Sequence, residues 1–307
     1  MTPDMTTRIG SIELPNPIMT ASGTAGHGAE LSRYVELDEL GALVVKSLAS
    51  FPWEGNPAPR VHATAAGMIN SVGLQGPGVA RWLDEELPEI LRHTPRVVAS
   101  IWGRTVADYA EAAALLATAP PEVIAVEVNV SCPNTEDQSR MFAHSPDATG
   151  EVVEATEVCG RPRWAKLSPN TSELVEIAAA ASDAGAEAVT IANTLLGLVI
   201  DPVTRRPVLG AGGGGLSGPA VHPVAVRKVF DCHAELPDLP IIGVGGVATV
   251  GDAVEFMLAG ASAVQVGTAS FADPAVTGRL AREIATWGAE AGVTRLDEVV
   301  GSAHTGS

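Results

Sequence analysis

The sequence predicts an α/β protein, a (β/α)8 barrel of the TIM type with an N-terminal extension and long loops after strands 2, 4 and 6. Three observations predict it. Short apolar runs alternate with longer Ala-rich amphipathic stretches, as in parallel strands joined by helices. There are eight such runs, enough to close a barrel. No Gly-x-Gly-x-x-Gly run follows the first strand, which disfavours an open dinucleotide-binding sheet. The 307 residues, 46% hydrophobic, read as one domain, 1–307, because single barrels run to about 250 residues or more.

Strands are expected at 18–21, 42–47, 97–101, 123–128, 164–167, 188–192, 241–244 and 263–266. Each is short and mostly apolar, as strands covered on both faces are. Helices are expected at 106–117, 172–184, 221–232, 250–258 and 276–287. Asn170-Thr171-Ser172-Glu173 offers a cap with an acid in the first turn. Asp183-Ala184-Gly185-Ala186 and Leu258-Ala259-Gly260-Ala261 each end a helix at a glycine just before a strand. Two stretches break the repeat, 50–78 after the second strand and 195–218 after the sixth. Long connections in a compact domain are usually functional, and both follow the strand ends that carry function in a barrel.

Composition narrows the function. A net charge of −17 repels phosphate backbones and anionic lipid surfaces, so nucleic acid and membranes are excluded as partners. The three cysteines, Cys132, Cys159 and Cys232, are far apart and include no Cys-x-x-Cys, so no zinc or iron–sulfur site and no disulfide scaffold is expected. Met1-Thr2-Pro3-Asp4-Met5 does not open a signal peptide, and no unbroken run of about 18 apolar residues exists. The expected location is the cytoplasm.

Four groups of residues carry chemistry. Gly243-Val244-Gly245-Gly246 ends the seventh strand and Val266-Gly267-Thr268 the eighth. Glycine amides and helix N-termini after these two strands often hold phosphate in barrels. One such pair serves tight turns alone; two on adjacent strands favour phosphate without naming the cofactor. Gly213-Gly214-Gly215-Leu216-Ser217-Gly218 adds a third amide-rich loop just before a helix. Cys132 lies just past the fourth strand, where a thiol serves as nucleophile or proton-transfer group, whereas Cys159 and Cys232 read as core. Lys46 and Lys166 end strands, where a buried ammonium needs an anionic partner, so they suit an anion or a reduced flavin. Asn70, Asn129, Asn134 and Asn193 can form a ring of amides for the imide-like edges of a planar heterocycle.

These residues together resemble the class 1 dihydroorotate dehydrogenases. The segments that match are Val45-Lys46-Ser47, Asn70-Ser71-Val72-Gly73-Leu74-Gln75, Asn129-Val130-Ser131-Cys132-Pro133-Asn134, Lys166-Leu167-Ser168-Pro169-Asn170, Asn193-Thr194-Leu195, Gly214-Gly215-Leu216-Ser217-Gly218 and Gly243-Val244-Gly245-Gly246. The resemblance spans nearly the whole chain. The runs at 74–78 and 215–219 look most like the catalytic subunit of subclass 1B.

The resemblance implies FMN across the barrel mouth, its phosphate on Gly245, Gly246, Gly267 and Thr268. The rest of the flavin would meet Ser22, Lys46, Ser47, Asn129, Lys166, Ala192 and Gly218. Dihydroorotate would stack on it and contact Lys46, Asn70, Ser71, Val72, Gly73, Leu74, Asn129, Asn134, Asn193 and Thr194. Cys132 would take the C5 proton as hydride leaves C6 for flavin N5, giving orotate in pyrimidine biosynthesis, with Lys46 the other catalytic residue. The resemblance implies a homodimer, or a heterotetramer with a subunit carrying FAD and an iron–sulfur cluster.

Three departures mark this chain. Ser100 stands where the family usually has Asn, Gly76 replaces a usual Asn, and the loop at 135–146 lacks the family's Gly-Gly-x-x-Phe-Gly pattern. The competing readings are an FMN barrel acting on another dihydropyrimidine or heterocycle, a non-catalytic flavin-binding barrel, and a phosphosugar isomerase or aldolase barrel.

Overall fold

Eight short parallel strands form one sheet that curls back on itself. In the computed structural model, residues 3–131 and 141–304 are described. The strands are β1 (Ile18–Thr20), β2 (Leu43–Val44), β3 (Val97–Ile101), β4 (Val123–Asn129), β5 (Arg163–Lys166), β6 (Ala188–Ile191), β7 (Ile241–Val244) and β8 (Ala261–Val266). Their hydrogen-bonded order is β1-β8-β7-β6-β5-β4-β3-β2. The two ends meet where Met19 bridges Ala42 in parallel and the Gly41 N–H donates to the Ile18 carbonyl at 2.8 Å. The expected barrel is therefore present.

Outside the ring lie α1 (Val106–Leu116), α2 (Pro146–Ala155), α3 (Leu174–Asp183), α4 (His222–Glu235), α5 (Val250–Leu258) and α6 (Val276–Glu290). α5 has the bounds expected from sequence. Its start is fixed by a capping box, Thr249 with Asp252, and α1 has the same device in Thr105 with Asp108. α3 starts two residues later than expected. Its N-cap is Glu173, with no side-chain cap, and Thr171 accepts the Glu173 N–H instead. The ladder of β2 is shorter than the apolar run, because Lys46 and Ser47 beyond it line the barrel mouth.

Side chains alternate along each strand between the helix layer and the barrel interior. Met19, Val44, Val98, Ala125, Trp164, Ala188, Ile242 and Ala263 pack together inside, and the N-terminal extension plugs them from below. That extension is a hairpin of Thr7–Ile9 and Ile12–Leu14, with Ile9 and Leu14 fully buried. Two residues farther along the strands the interior turns polar: Lys46, Ser100, Glu127, Lys166, Thr190 and Gln265. Except for Lys46, these are buried.

The two long connections also meet. Val61–Thr64 and Gly67–Asn70 from the first pair with Gly214–Ser217 and Leu195–Gly197 from the second. The result is a four-stranded antiparallel sheet whose Met68, Asn70 and Ser217 line the barrel mouth. Neither the hairpin plug nor this sheet was expected from sequence.

Candidate active site

The barrel mouth opens into a cavity lined from every side by residues at strand ends. Ser22, Lys46, Ser47, Asn129, Lys166, Ala192, Asn193 and Thr194 line it from the barrel. Asn70, Val72, Gly73 and Leu74 line it from the first long connection, and Gly245, Gly246, Gly267 and Thr268 from the loops after β7 and β8. Segments far apart in sequence converge because parallel strands all end on one face.

The floor is a buried polar layer. Glu127 is fully buried. Its Oε2 accepts from Gln265 Nε2 at 2.7 Å and from the Thr190 hydroxyl at 3.2 Å. Its Oε1 faces Lys166 Nζ at 3.8 Å. Lys166 is 5% exposed, so the pair carries a large desolvation cost that only mutual attraction and these hydrogen bonds offset. The anionic partner that a strand-end lysine requires is thus an acid on the neighbouring strand.

Beside that floor, a chain of small polar groups runs under the rim. The Ser47 hydroxyl lies 2.9 Å from that of Ser100 and 3.1 Å from that of Ser22, and Asn129 Nδ2 donates to Ser47 Oγ at 3.2 Å. Ser100, unusual against the family pattern, is therefore bonded within the site. Asn129 is held from three directions. The Tyr109 hydroxyl donates to its carbonyl at 2.7 Å, and its Oδ1 accepts from the Ser131 N–H at 3.2 Å and from Asn193 Nδ2 at 3.4 Å.

Lys46 lines the cavity, and its Nζ donates to the Gln75 carbonyl at 2.5 Å. Burial, reinforced by the charge of Arg60, pulls its ammonium down to about 8. Arg60 organises the same loop by donating to the Gln75 side chain and to the carbonyls of Asn56 and Glu54. Trp53 Nε1 donates to the Gly73 carbonyl at 3.0 Å, and Leu74 adopts a left-handed φ of 61°. A leucine seldom adopts that conformation without surroundings that impose it. At Gly76, a Cβ would stand 2.9 Å from His27 Nε2, so the glycine makes room for that ring.

The glycine end is tightly built. A Cβ on Gly246 would meet the Gly218 carbonyl at 2.7 Å, and one on Gly218 would meet Gly67 Cα at the same distance. The chain passes at close quarters here, leaving backbone amides beside the cavity. Thr268 Oγ1 donates to Ser217 Oγ at 2.8 Å, tying the β8 loop to the four-stranded sheet.

Most residues expected at the site line this one cavity. Gly218 instead lines an adjoining apolar groove with Pro219 and Phe271. Ser71 lies behind the lining, its N–H donating to the Arg60 carbonyl at 2.8 Å. Cys132 and Asn134, and the loop from 135 to 140, lie outside the described residues. Glu127, Gln265, Arg60 and Tyr109 were missed by sequence reasoning. Glu127 had a signal, since an acid two residues before Asn129 in an apolar strand must face the barrel interior. Among the described residues no cluster of His, Cys, Asp or Glu could hold a metal ion, and no helix is long and apolar enough to cross a membrane.

The donor set fits a flavin phosphate ester. Amides at a tight glycine crossing suit the phosphate, while lysine ammoniums and asparagine amides suit the edges of the ring system. The family model described as dihydroorotate dehydrogenase matches residues 4–287. A protein of Geobacter sulfurreducens named dihydroorotate dehydrogenase B (NAD(+)), catalytic subunit, is 45% identical over 301 residues, covering 98% of this chain and 98% of that protein. Proteins of the same name from Pelobacter propionicus and Alkaliphilus metalliredigens are each 44% identical, over 98% and 97% of this chain and 99% and 98% of their own lengths.

The buried pair gives a direct expectation. Glu127→Leu strands the Lys166 charge and should cost about 3–5 kcal/mol in urea unfolding, whereas Glu127→Leu with Lys166→Met should recover most of it. Equal losses in the single and double variants would show that the pair is not coupled.

Proposed function

Because the chain belongs to the dihydroorotate dehydrogenase family, we propose that its mouth cavity holds FMN with dihydroorotate against it, and that the whole chain acts as one flavin-binding barrel domain. The enzyme is an oxidoreductase that uses a flavin to oxidise dihydroorotate to orotate in pyrimidine biosynthesis. The observation that carries the finer reading is the convergence of Lys46, Lys166, Asn70, Asn129 and Asn193 with two glycine loops in one cavity.

In this reading Gly245, Gly246, Gly267 and Thr268 hold the phosphate. Ser22, Ser47, Asn129, Lys166, Ala192 and Gly218 meet the rest of the cofactor. When bound, the flavin supplies the hydride acceptor. Lys166, held by Glu127, places a positive charge where the cofactor gains electron density. Lys46 binds an anionic edge of the substrate, while Asn70, Asn129, Asn134 and Asn193 orient its imide groups. The loop of Ser71, Val72, Gly73 and Leu74, with Thr194, frames the substrate from above. Cys132, next in the chain after Ser131, removes the C5 proton. A free thiol ionises near about 8.5, so it becomes a better base as pH rises.

The relatives are named catalytic subunits of an NAD(+)-linked enzyme. We propose for this chain a partner subunit carrying FAD and an iron–sulfur cluster, with exposed Phe271 and Val61 beside the cavity as its contact. Leu196, Leu198, Ile200 and Val203 form an exposed apolar arm on the second long connection, which suits a homodimeric core. The free thiols of Cys159 and Cys232 suit the cytoplasm.

Anaerobic titration of the FMN-loaded protein with dihydroorotate tests the reading: the flavin absorbance should bleach, and at neutral pH it should bleach far more slowly in Cys132→Ser. Absence of bleaching with dihydroorotate, or an unslowed variant, would contradict it. Lys46 adds a pH expectation. Its lowered ionisation means that the ammonium is present below about 8 and lost above it. The pH profile of kcat/KM should therefore fall above about 8, against the rising thiol limb, and Lys46→Met should lose that falling limb along with much of its activity.

A further inference from the structure

His222 opens α4 directly behind the glycine crossing, and it is 8% exposed. Its Nδ1 lies 2.8 Å from the Gly245 carbonyl oxygen, and its Nε2 lies 3.0 Å from Glu255 Oε2 and 3.9 Å from Asp252 Oδ1. Phe256 closes the ring edge-on at 5.0 Å. A Cβ on Gly246 would meet His222 Cβ at 2.8 Å, so the imidazole is packed against the loop rather than beside it.

A carbonyl can only accept, so the contact with Gly245 is a hydrogen bond donated by the His222 Nδ1–H. The Gly245–Gly246 peptide is trans, and in a trans peptide the C=O and N–H point in opposite directions. A carbonyl held back by His222 therefore turns the Gly246 N–H the other way. Without that hold, a Gly-Gly peptide is among the freest to flip.

We propose that His222 is a positioning residue for the cofactor phosphate: by fixing the Gly245 carbonyl it aims the Gly246 N–H into the cavity. The proposal rests on the reading of the glycine loops as the phosphate holder.

The test is titration of the apoprotein with FMN and with riboflavin, read by flavin fluorescence. His222→Phe should bind FMN about fivefold to tenfold more weakly than the wild type, the worth of one net hydrogen bond, while binding riboflavin as the wild type does. A His222→Phe protein that binds FMN as tightly as the wild type would overturn the proposal. Equal wild-type affinity for FMN and riboflavin would instead overturn the phosphate-site reading beneath it.

Discussion

A charge buried in a barrel must be matched within the barrel, and the pairing of Lys166 with Glu127 meets that demand. Both residues sit in the second interior layer, above Trp164 and Ala125 on the same strands. Gln265 and Thr190 take the carboxylate oxygen that does not face the lysine. Ionic cores are expensive, and an apolar layer would be at least as stable. What the ionic layer provides is a cation fixed at the floor of the mouth cavity, on a rigid strand rather than a loop.

The rest of the site is arranged around that floor. Lys46 sits on the rim with its charge weakened by burial, while Lys166 is held by an acid. The two lysines are therefore suited to different tasks. The first loses its charge above about 8, and the second lies beside a fully buried carboxylate. The four-stranded sheet built from both long connections places Asn70 and Met68 across from the floor. Trp53, Arg60 and Asn56 stiffen the loop that carries Gly73 and Leu74. On the far side, the close crossing of Gly67, Gly218 and Gly246 locks the four-stranded sheet to the loop after β7.

The barrel was legible because eight apolar runs and their intervening helices are local patterns. Two strands, Val97–Ile101 and Ile241–Val244, and the helix Val250–Leu258 have the bounds expected. The rim residues were legible because chemistry-bearing side chains at strand ends must share one face. What escaped depends on pairings distant in sequence. Gly214–Ser217 joins Gly67–Asn70 across almost 150 positions, and neither segment has the alternation of a strand, being mostly glycine or short. The hairpin of Thr7–Ile9 and Ile12–Leu14 is too short for periodicity to mark. Glu127 was overlooked because its strand was read for hydrophobicity rather than for which residue faced inward. Ser100 was read only as a departure from the family pattern, and its hydroxyl joins the network of Ser47 and Asn129.

The central claim is that Lys166 acts as a fixed cation toward a flavin that becomes electron-rich. The midpoint potential of the bound flavin, measured in the wild type and in Lys166→Met by equilibration with a reference dye, tests it most directly. The account predicts a clearly more negative potential in the variant, because the reduced cofactor loses its compensating charge. An unchanged potential, with the flavin still bound, would contradict it.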